Sequence, residues 1–229
     1  MAAIKETLVS MPANSIQLEG SLIVPNGATA LIIFVHGSGS SRHSPRNQYV
    51  AKVLQQAGFS TLLFDLLTTE EDRIYENRFD IPHLSNRLMQ VTEWILNQPT
   101  TKHFKIGYFG ASTGAAAAIM AAAELGEKIG AIVSRGGRPD LATHYALKTI
   151  QSPTLLIVGG DDVEVLEMNQ AASQFMQTIH RVEIIPHATH LFEEAGTLES
   201  AAKAAINWFL KYLVHAPGII IQQHDRHTK

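Results

Sequence analysis

The sequence of 229 residues predicts a single α/β domain, in which a mostly parallel, doubly wound sheet has helices on both faces. Three observations lead to this fold class. Six short runs are almost continuously apolar, which is typical of strands that are covered on both faces. The segments between them have apolar residues at spacings near three and four, which is typical of amphipathic helices. The two kinds of segment alternate from residue 30 to residue 213, as in βαβ units.

The elements follow one another in a regular order. The predicted strands are Ala30–Val35, Ser60–Asp65, Lys105–Phe109, Ala131–Ser134, Thr154–Val158 and Arg181–Ile185. The predicted helices are Asn47–Gln56, His83–Leu96, Thr113–Leu125, Glu164–Thr178 and Leu198–Leu213. Before them, Ser15–Val24 alternates between apolar and polar residues and predicts one or two antiparallel edge strands. We expect one domain over residues 1–215, with Thr68–Asp80 as a charged surface excursion, and a C-terminal tail over residues 216–229.

Composition excludes several classes of function. Lys and Arg number 18 against 21 Asp and Glu, and 45% of residues are apolar, which excludes a disordered acidic tail and a strongly basic nucleic-acid binder. The chain has no Cys, which excludes disulfides, iron–sulfur clusters, zinc-thiolate sites and a cysteine nucleophile. Met1–Glu6 has no signal-peptide character, and the longest apolar run, Ala115–Ala123, is too short for a membrane span. We expect a cytoplasmic monomer or homodimer without nucleic-acid or membrane partners.

The most informative motif is Gly110-Ala111-Ser112-Thr113-Gly114, which fits G-x-S-x-G. It lies between a predicted buried strand and a predicted Ala-rich helix, where this motif forms a nucleophile elbow. Flanking glycines avoid clashes in such a turn, and the helix N-terminus supplies backbone N–H groups and a partial positive charge. The alternative is a glycine-bounded turn in which Ser112 only caps the helix. The motif and its context favour Ser112 as a nucleophile and the Thr113 N–H as an oxyanion donor.

From about residue 20 to residue 213 the chain resembles the α/β-hydrolases, and among them the dienelactone-hydrolase-like group. The matching motifs are His36-Gly37-Ser38-Gly39, the elbow at Ser112, Gly159-Gly160-Asp161-Asp162, and His190 after the last strand. They occur in the chain order Ser, acid, His that is typical of that fold. Dienelactone hydrolase itself uses a cysteine, so Ser112 is a departure from it, and the resemblance implies ester hydrolysis rather than a dienelactone substrate.

The resemblance also implies the two partners of Ser112. It places the base at His190, with His187 as the rival on the same loop, and the alternative for either is a histidine bound to backbone. It places the acid at Asp162, because the family pattern of a glycine, two residues and Asp maps Gly159 onto that position. Asp161 is then expected to be an exposed turn residue. The acid would fix the imidazole tautomer and stabilise the imidazolium.

The loop after the first central strand is expected to complete the oxyanion hole. Family geometry points to the N–H of Ser38 as the second donor, and His36 is expected to hold the loop by hydrogen bonds. The alternative of a phosphate-binding loop lacks the required glycine and lysine spacing.

Arginines cluster in the loops that are expected at the carboxyl edge of the sheet, namely Arg42, Arg46, Arg135 and Arg138. Arg42, Arg135 and Arg138 are predicted to bind an anionic group of a small-molecule substrate, because guanidinium binds carboxylate bidentately. The alternative is that these arginines hold loops together through ion pairs with Glu70, Glu71, Asp72 or Asp140.

These features together predict a serine hydrolase that cleaves a small ester, lactone or thioester through an acyl-enzyme, without a cofactor or metal. The H-x-x-H pairs His187/His190 and His224/His227 lack a third ligand. The connections after Asp65 and Ser134 are too short for a large lid, so an open pocket is expected. A non-catalytic ligand-binding or receptor module on the same scaffold is one alternative, and a peptidase or perhydrolase with the same triad is another.

Overall fold

A computed structural model describes residues 6–214, and the predicted C-terminal tail over residues 216–229 lies outside these described residues. One sheet of eight strands runs through the domain in the order β1-β2-β4-β3-β5-β6-β7-β8. The strands are β1 (Glu6–Ala13), β2 (Ile16–Ile23), β3 (Ala30–Val35), β4 (Ser60–Phe64), β5 (Lys105–Ala111), β6 (Ile129–Arg135), β7 (Thr154–Gly159) and β8 (His180–Ile185). β1 and β2 pair antiparallel at one edge, and β3 to β8 are parallel.

Seven α-helices connect or follow these strands in the described part of the chain. They are α1 (Pro45–Gln56), α2 (Thr69–Asp72), α3 (Ile81–Asn97), α4 (Thr113–Leu125), α5 (His144–Thr149), α6 (Val163–Ser173) and α7 (Thr197–Phe209). Short 3₁₀ turns occur at 75–79, 126–128 and 139–141, and a π turn follows α7 at 210–214. Within residues 6–214, no helix is both long and apolar enough to cross a bilayer.

Two apolar layers enclose the sheet. The first layer packs α3, α4 and α5 on one face, and the second packs α1 and α7 on the other. Strand β3 supplies both layers, since Leu31, Ile33 and Val35 lie in the first layer and Ala30, Ile32 and Phe34 in the second. Burial on both faces explains why these strands are continuously apolar in sequence.

The structure confirms the α/β fold class with a mostly parallel sheet between helices. It adds β1, which the sequence analysis did not predict, and it ends α6 at Ser173 rather than Thr178. β1 has only two fully buried positions, Met11 and Ala13, because it forms the outer edge of the sheet. An edge strand with so little burial has a weak apolar pattern.

The six parallel strands all point the same way, so their carboxyl ends meet at one edge of the sheet. The loops after β3, β5, β6, β7 and β8 therefore open at that edge, where open α/β sheets bind ligands. The excursion between β4 and α3 contains only α2 and a 3₁₀ turn, and the longest helix between β6 and β7 is the six-residue α5.

Candidate active site

Ser112 joins β5 directly to α4 and has a strained backbone. Its φ is 49° and its ψ is −125°, a conformation that a residue with a Cβ rarely adopts. The turn brings the first residues of α4 against β3, where a methyl group on Gly114 would stand 2.1 Å from the carbonyl oxygen of Val35. Only glycine fits at such a distance from backbone. The half-buried Ser112 side chain is thereby fixed at the carboxyl edge of the sheet.

The loops after β7 and β8 bring an acid and a histidine together. His190 Nδ1 lies 2.8 Å from Oδ2 of Asp162, so the ring donates from Nδ1 to the carboxylate and leaves Nε2 free to accept a proton. The side chains of Asp161 and His187 are exposed, and the contribution of Asp161 here is a backbone N–H bond to the carbonyl of Ala188. Of the two candidates for each role, the structure pairs Asp162 with His190.

Close backbone packing fixes the position of these two loops. A methyl group on Gly159 would stand 2.2 Å from the carbonyl oxygen of Ala188, so the acid and histidine loops touch at backbone distance. The loop after β6 contacts both Ser112 and His190. The Arg138 N–H donates to the carbonyl of Ser112 at 3.0 Å, and a methyl on Gly136 would lie 3.6 Å from Cε1 of His190. The nucleophile candidate and the histidine therefore share one neighbouring loop.

The His190 loop is also held by its own side chains. Glu194 accepts hydrogen bonds from the backbone N–H and the hydroxyl of Thr189, at 3.1 and 2.6 Å. These bonds, led by the one from the hydroxyl, lower the pKa of Glu194. Phe192 is buried although its φ of 56° is unusual for an aromatic residue. These hydrogen bonds between Thr189 and Glu194 were not predicted. Their only sequence signal is the pair of glutamates directly after the loop.

The loop after β3 is anchored by His36, as the sequence analysis expected. The Leu66 N–H donates to Nε2 of His36 at 3.1 Å, so Nε2 carries no proton and Nδ1–H donates to the Gly37 carbonyl at 3.0 Å. Burial lowers the pKa of His36 and keeps the ring neutral, outweighing the bond to Gly37.

The two predicted oxyanion residues touch each other. The Ser38 N–H donates to Oγ1 of Thr113 at 2.9 Å, which docks the loop after β3 onto the first turn of α4. The Ser38 N–H is therefore engaged by a hydroxyl group in this structure. That hydroxyl uses an oxygen lone pair to accept, so its own proton remains available for a further bond.

Two of the three arginines that were predicted to bind an anionic substrate are paired within the chain. Arg42 contacts both Asp65 and Glu19, the latter at 2.6 Å. Arg138 forms a two-pronged contact with Asp140, at 2.8 and 2.7 Å. These pairs match the alternative role of holding loops together, with Asp140 as an expected partner and Asp65 and Glu19 as unexpected ones.

The sequence predicted Arg135 at the rim of a pocket, but the structure buries this residue. Its residue is 6% exposed, and its guanidinium carbon lies 5.5 Å from the centre of the Phe192 ring. Arg135 is the last residue of β6 rather than a residue of the following loop, and its role in substrate binding stays a prediction. Arg46, by contrast, is partly exposed and pairs with Glu193 at 3.1 Å.

Residues 6–214 contain no group of three or more His, Asp or Glu side chains arranged to hold a metal ion. The arrangement at the sheet edge supports chemistry by oxygen and nitrogen groups: a serine in a strained turn, an imidazole oriented by a carboxylate, and backbone N–H groups at a helix N-terminus. These are the kinds of group that acyl transfer by a serine uses.

A family model described as an alpha/beta hydrolase domain matches residues 28–214. The chain belongs to the α/β-hydrolase family. This α/β-hydrolase is similar to a dienelactone hydrolase from Anabaena variabilis ATCC 29413, whose crystal structure is known. The two sequences are 54% identical, and the structures superpose with a TM-score of 0.89 over 92% of this chain and 99% of that chain. The protein is thus dienelactone-hydrolase-like in sequence and fold.

Other relatives add less about function. Est1E from Butyrivibrio proteoclasticus is 17% identical with a TM-score of 0.76, covering 89% of this chain and 98% of that chain, and this likeness shows the fold alone. A proposed phosphoribosyl transferase of Mycobacterium tuberculosis H37Rv is 52% identical over 215 residues, which are 94% of this chain and 48% of that protein. This α/β-hydrolase therefore spans about half the length of the curated relative it matches.

Proposed function

We propose that this protein is a serine hydrolase that cleaves a small ester, lactone or thioester through an acyl-enzyme. The hydrogen bond between Asp162 and His190 carries the proposal, because it orients an imidazole at the sheet edge where Ser112 occupies its strained turn. A serine hydroxyl is a weak nucleophile without a base, and an imidazole with Nε2 unprotonated is the base that it needs.

In the proposed reaction, Oγ of Ser112 attacks the acyl carbon while its proton passes to Nε2 of His190. The carboxylate of Asp162 stabilises the resulting imidazolium without taking the proton. The bond to the leaving group breaks, and the leaving oxygen or sulfur takes the proton from Nε2. Water then gives a proton to His190 and attacks the Ser112 ester, and the acid leaves as Ser112 recovers its proton.

The oxyanion of each tetrahedral intermediate would be held by the backbone N–H groups of Thr113 and Ser38. Thr113 is the first residue of α4, so its N–H adds to the positive end of the helix dipole. The Ser38 N–H would turn from Oγ1 of Thr113 to the oxyanion, and the Thr113 hydroxyl would then lose the bond that it now accepts.

Small substrates suit the connections around the site, since the described chain has no long helical insertion above the sheet edge. The name of the relative from Anabaena variabilis, which is 54% identical, supports ester or lactone chemistry. The phosphoribosyl transferase name belongs to a protein about twice as long, of which this chain matches only 48%.

The proposal is tested by a panel of small esters, lactones and thioesters on the wild type and on Ser112→Ala. We expect turnover of at least one class by the wild type and a loss of about 10⁴-fold or more in the variant, because the variant has no nucleophile. Ser40→Ala, on the same sheet edge but outside the elbow, is the matched control. Turnover retained by Ser112→Ala would show that Ser112 is not the nucleophile.

A fluorophosphonate probe separates the enzyme from a non-catalytic module on the same scaffold. Such a probe phosphonylates only an activated serine, so we expect labelling of the wild type at Ser112 and no labelling of Ser112→Ala. A folded wild type that resists the probe would favour the ligand-binding alternative.

A further inference from the structure

Arg135 is a buried cation at the end of β6. Across the sheet it lies beside Ala111 of β5 and Ile157 of β7, and Ala111 directly precedes Ser112. Alternation along β6 puts Arg135 on the same face as Ala131 and Val133, the face covered by α1 and α7. Its Nε is fully buried and has no hydrogen-bond acceptor among the described residues.

The two carboxylates that follow Phe192 in the chain are engaged elsewhere. Glu193 pairs with Arg46, and Glu194 accepts two hydrogen bonds from Thr189. No ion pair to Arg135 occurs among residues 6–214, although Arg46 and Arg138 each have one and Arg42 has two. Arg135 is thus the arginine of this sheet edge whose charge no carboxylate balances.

The surroundings of Arg135 disfavour its charge. Burial, together with repulsion from Arg46, lowers the pKa of Arg135 to about 10, so it is still a cation at neutral pH. The ring of Phe192 attracts the guanidinium across 5.5 Å, and this contact offsets only part of the cost of burial. Buried charges in proteins are otherwise paired, so an unpaired one indicates an anion that binds there.

We propose that Arg135 forms a subsite that binds a carboxylate or phosphate group next to Ser112. Strands lie about 4.8 Å apart, so the Arg135 backbone is one strand and one residue away from Ser112. The anionic group is either part of the substrate or a free anion. The first source rests on the proposed function, and the second does not.

Anion binding at this subsite would act on the catalytic loop through Phe192. Phe192 follows His190 by two residues and packs on the Arg135 guanidinium, while Gly136 lies against the His190 ring. An anion that holds the guanidinium in place also holds Phe192, and with it the loop that carries the histidine.

The test uses the whole chain and three variants. Arg135→Met removes the charge but keeps the length, and replacing a buried ion with an apolar side chain is often tolerated. Arg135→Lys keeps the charge and loses the planar fork. Arg181→Gln, which removes an exposed arginine paired with Glu183 on β8, is the control. Melting temperature is measured while chloride is replaced by phosphate or by acetate at constant ionic strength.

We expect phosphate or acetate to raise the melting temperature of the wild type and of Arg181→Gln by about 3 °C or more at tenfold excess over Kd. Arg135→Met should lose this rise, and Arg135→Lys should keep part of it. The rates of hydrolysis of 4-nitrophenyl hemisuccinate and 4-nitrophenyl butyrate are then compared. The two esters differ only in a terminal carboxylate in place of a methyl group, so the comparison identifies the source of the anion. A hemisuccinate preference that falls about tenfold in Arg135→Met indicates a substrate group, and equal rates alongside anion stabilisation indicate a free anion.

The proposal is overturned if the wild type shows neither anion stabilisation nor a hemisuccinate preference, or if Arg135→Met retains whichever of these the wild type shows. The melting experiment is repeated on Ser112→Ala, because that variant separates the two proposals. If anions stabilise the protein through Arg135 but the protein hydrolyses no ester, the subsite is supported and the proposed function is contradicted.

Discussion

Single residues at the sheet edge have conformations that local preference disfavours. Ser112, His187 and Phe192 all have positive φ angles, between 49° and 61°. Each such residue costs on the order of 1–3 kcal/mol, so the packing around it must hold it there. All three lie in the elbow or in the loop of His190, which is where strain accumulates in functional sites.

The proposed role of Asp162 can be tested by Asp162→Asn. The amide keeps the shape of the side chain but cannot stabilise the imidazolium of His190 and favours the wrong tautomer. We expect kcat on the best ester to fall by about 10³- to 10⁴-fold with little change in the melting temperature.

Asp161→Asn is the matched control for that experiment. Asp161 is exposed and contributes only a backbone N–H bond to Ala188, so its variant should keep kcat within a few fold. A large loss in Asp161→Asn with none in Asp162→Asn would reverse the assignment of the acid.

At the scale of elements, the site depends on how closely the ends of β7 and β8 pack. Neighbouring parallel strands bring their loops together, and Gly159 lets the two backbones touch at Ala188. The Asp162–His190 hydrogen bond therefore depends on a residue that takes no part in the chemistry.

Gly159→Ala should disturb the histidine loop. The added methyl would lie 2.2 Å from the Ala188 carbonyl, so the loop must move by about 1 Å or more. We expect a fall in kcat of about 100-fold and a loss of unfolding free energy of about 1–3 kcal/mol.

Gly160→Ala serves as the comparison for Gly159→Ala, because its methyl would meet its nearest atom, the Ile185 carbonyl oxygen, at 3.3 Å. Steady-state kinetics and thermal unfolding of both variants check the prediction. Equal kcat in the two variants would show that the contact at Ala188 does not position His190.

At the scale of the whole molecule, His36 links stability to pH. It joins the loop after β3 to Leu66, and burial lowers its pKa below the ordinary value of 6.5. Below pH 6.5, His36 therefore binds a proton in the unfolded chain but stays neutral in the folded protein until the pH reaches the lowered pKa. Its contribution to stability is complete above that pH and is lost as the pH falls toward the lowered pKa.

We expect the unfolding free energy to fall more steeply between pH 6.5 and pH 5 in the wild type than in His36→Gln. The difference in slope is at most about 1.4 kcal/mol per pH unit, the value for one proton. Gln keeps an acceptor and a donor for Leu66 and Gly37 but does not titrate. Denaturant unfolding at several pH values measures the slopes, and parallel slopes would contradict the role of His36.

Local patterns were enough to predict most of the fold. The apolar run of Ala30–Val35 and the motif around Ser112 are each read within a few residues, and both elements lie where the sequence placed them. β1 could not be predicted, because an edge strand buries little and has no strong pattern. The helix α5 was missed because its six residues are too few for a clear helical period.

The sequence by itself determined the class of fold, the position of the elbow and the order of the motifs, because these depend on spacing along the chain. The tertiary structure decided which of the candidate Asp and His residues meet, since the side chains of adjacent Asp161 and Asp162 leave the backbone in different directions. It also decided the partners of the arginines. Charge pairing depends on distance in space, so only the folded chain could pair Arg42 and Arg138 internally and leave Arg135 buried without a carboxylate.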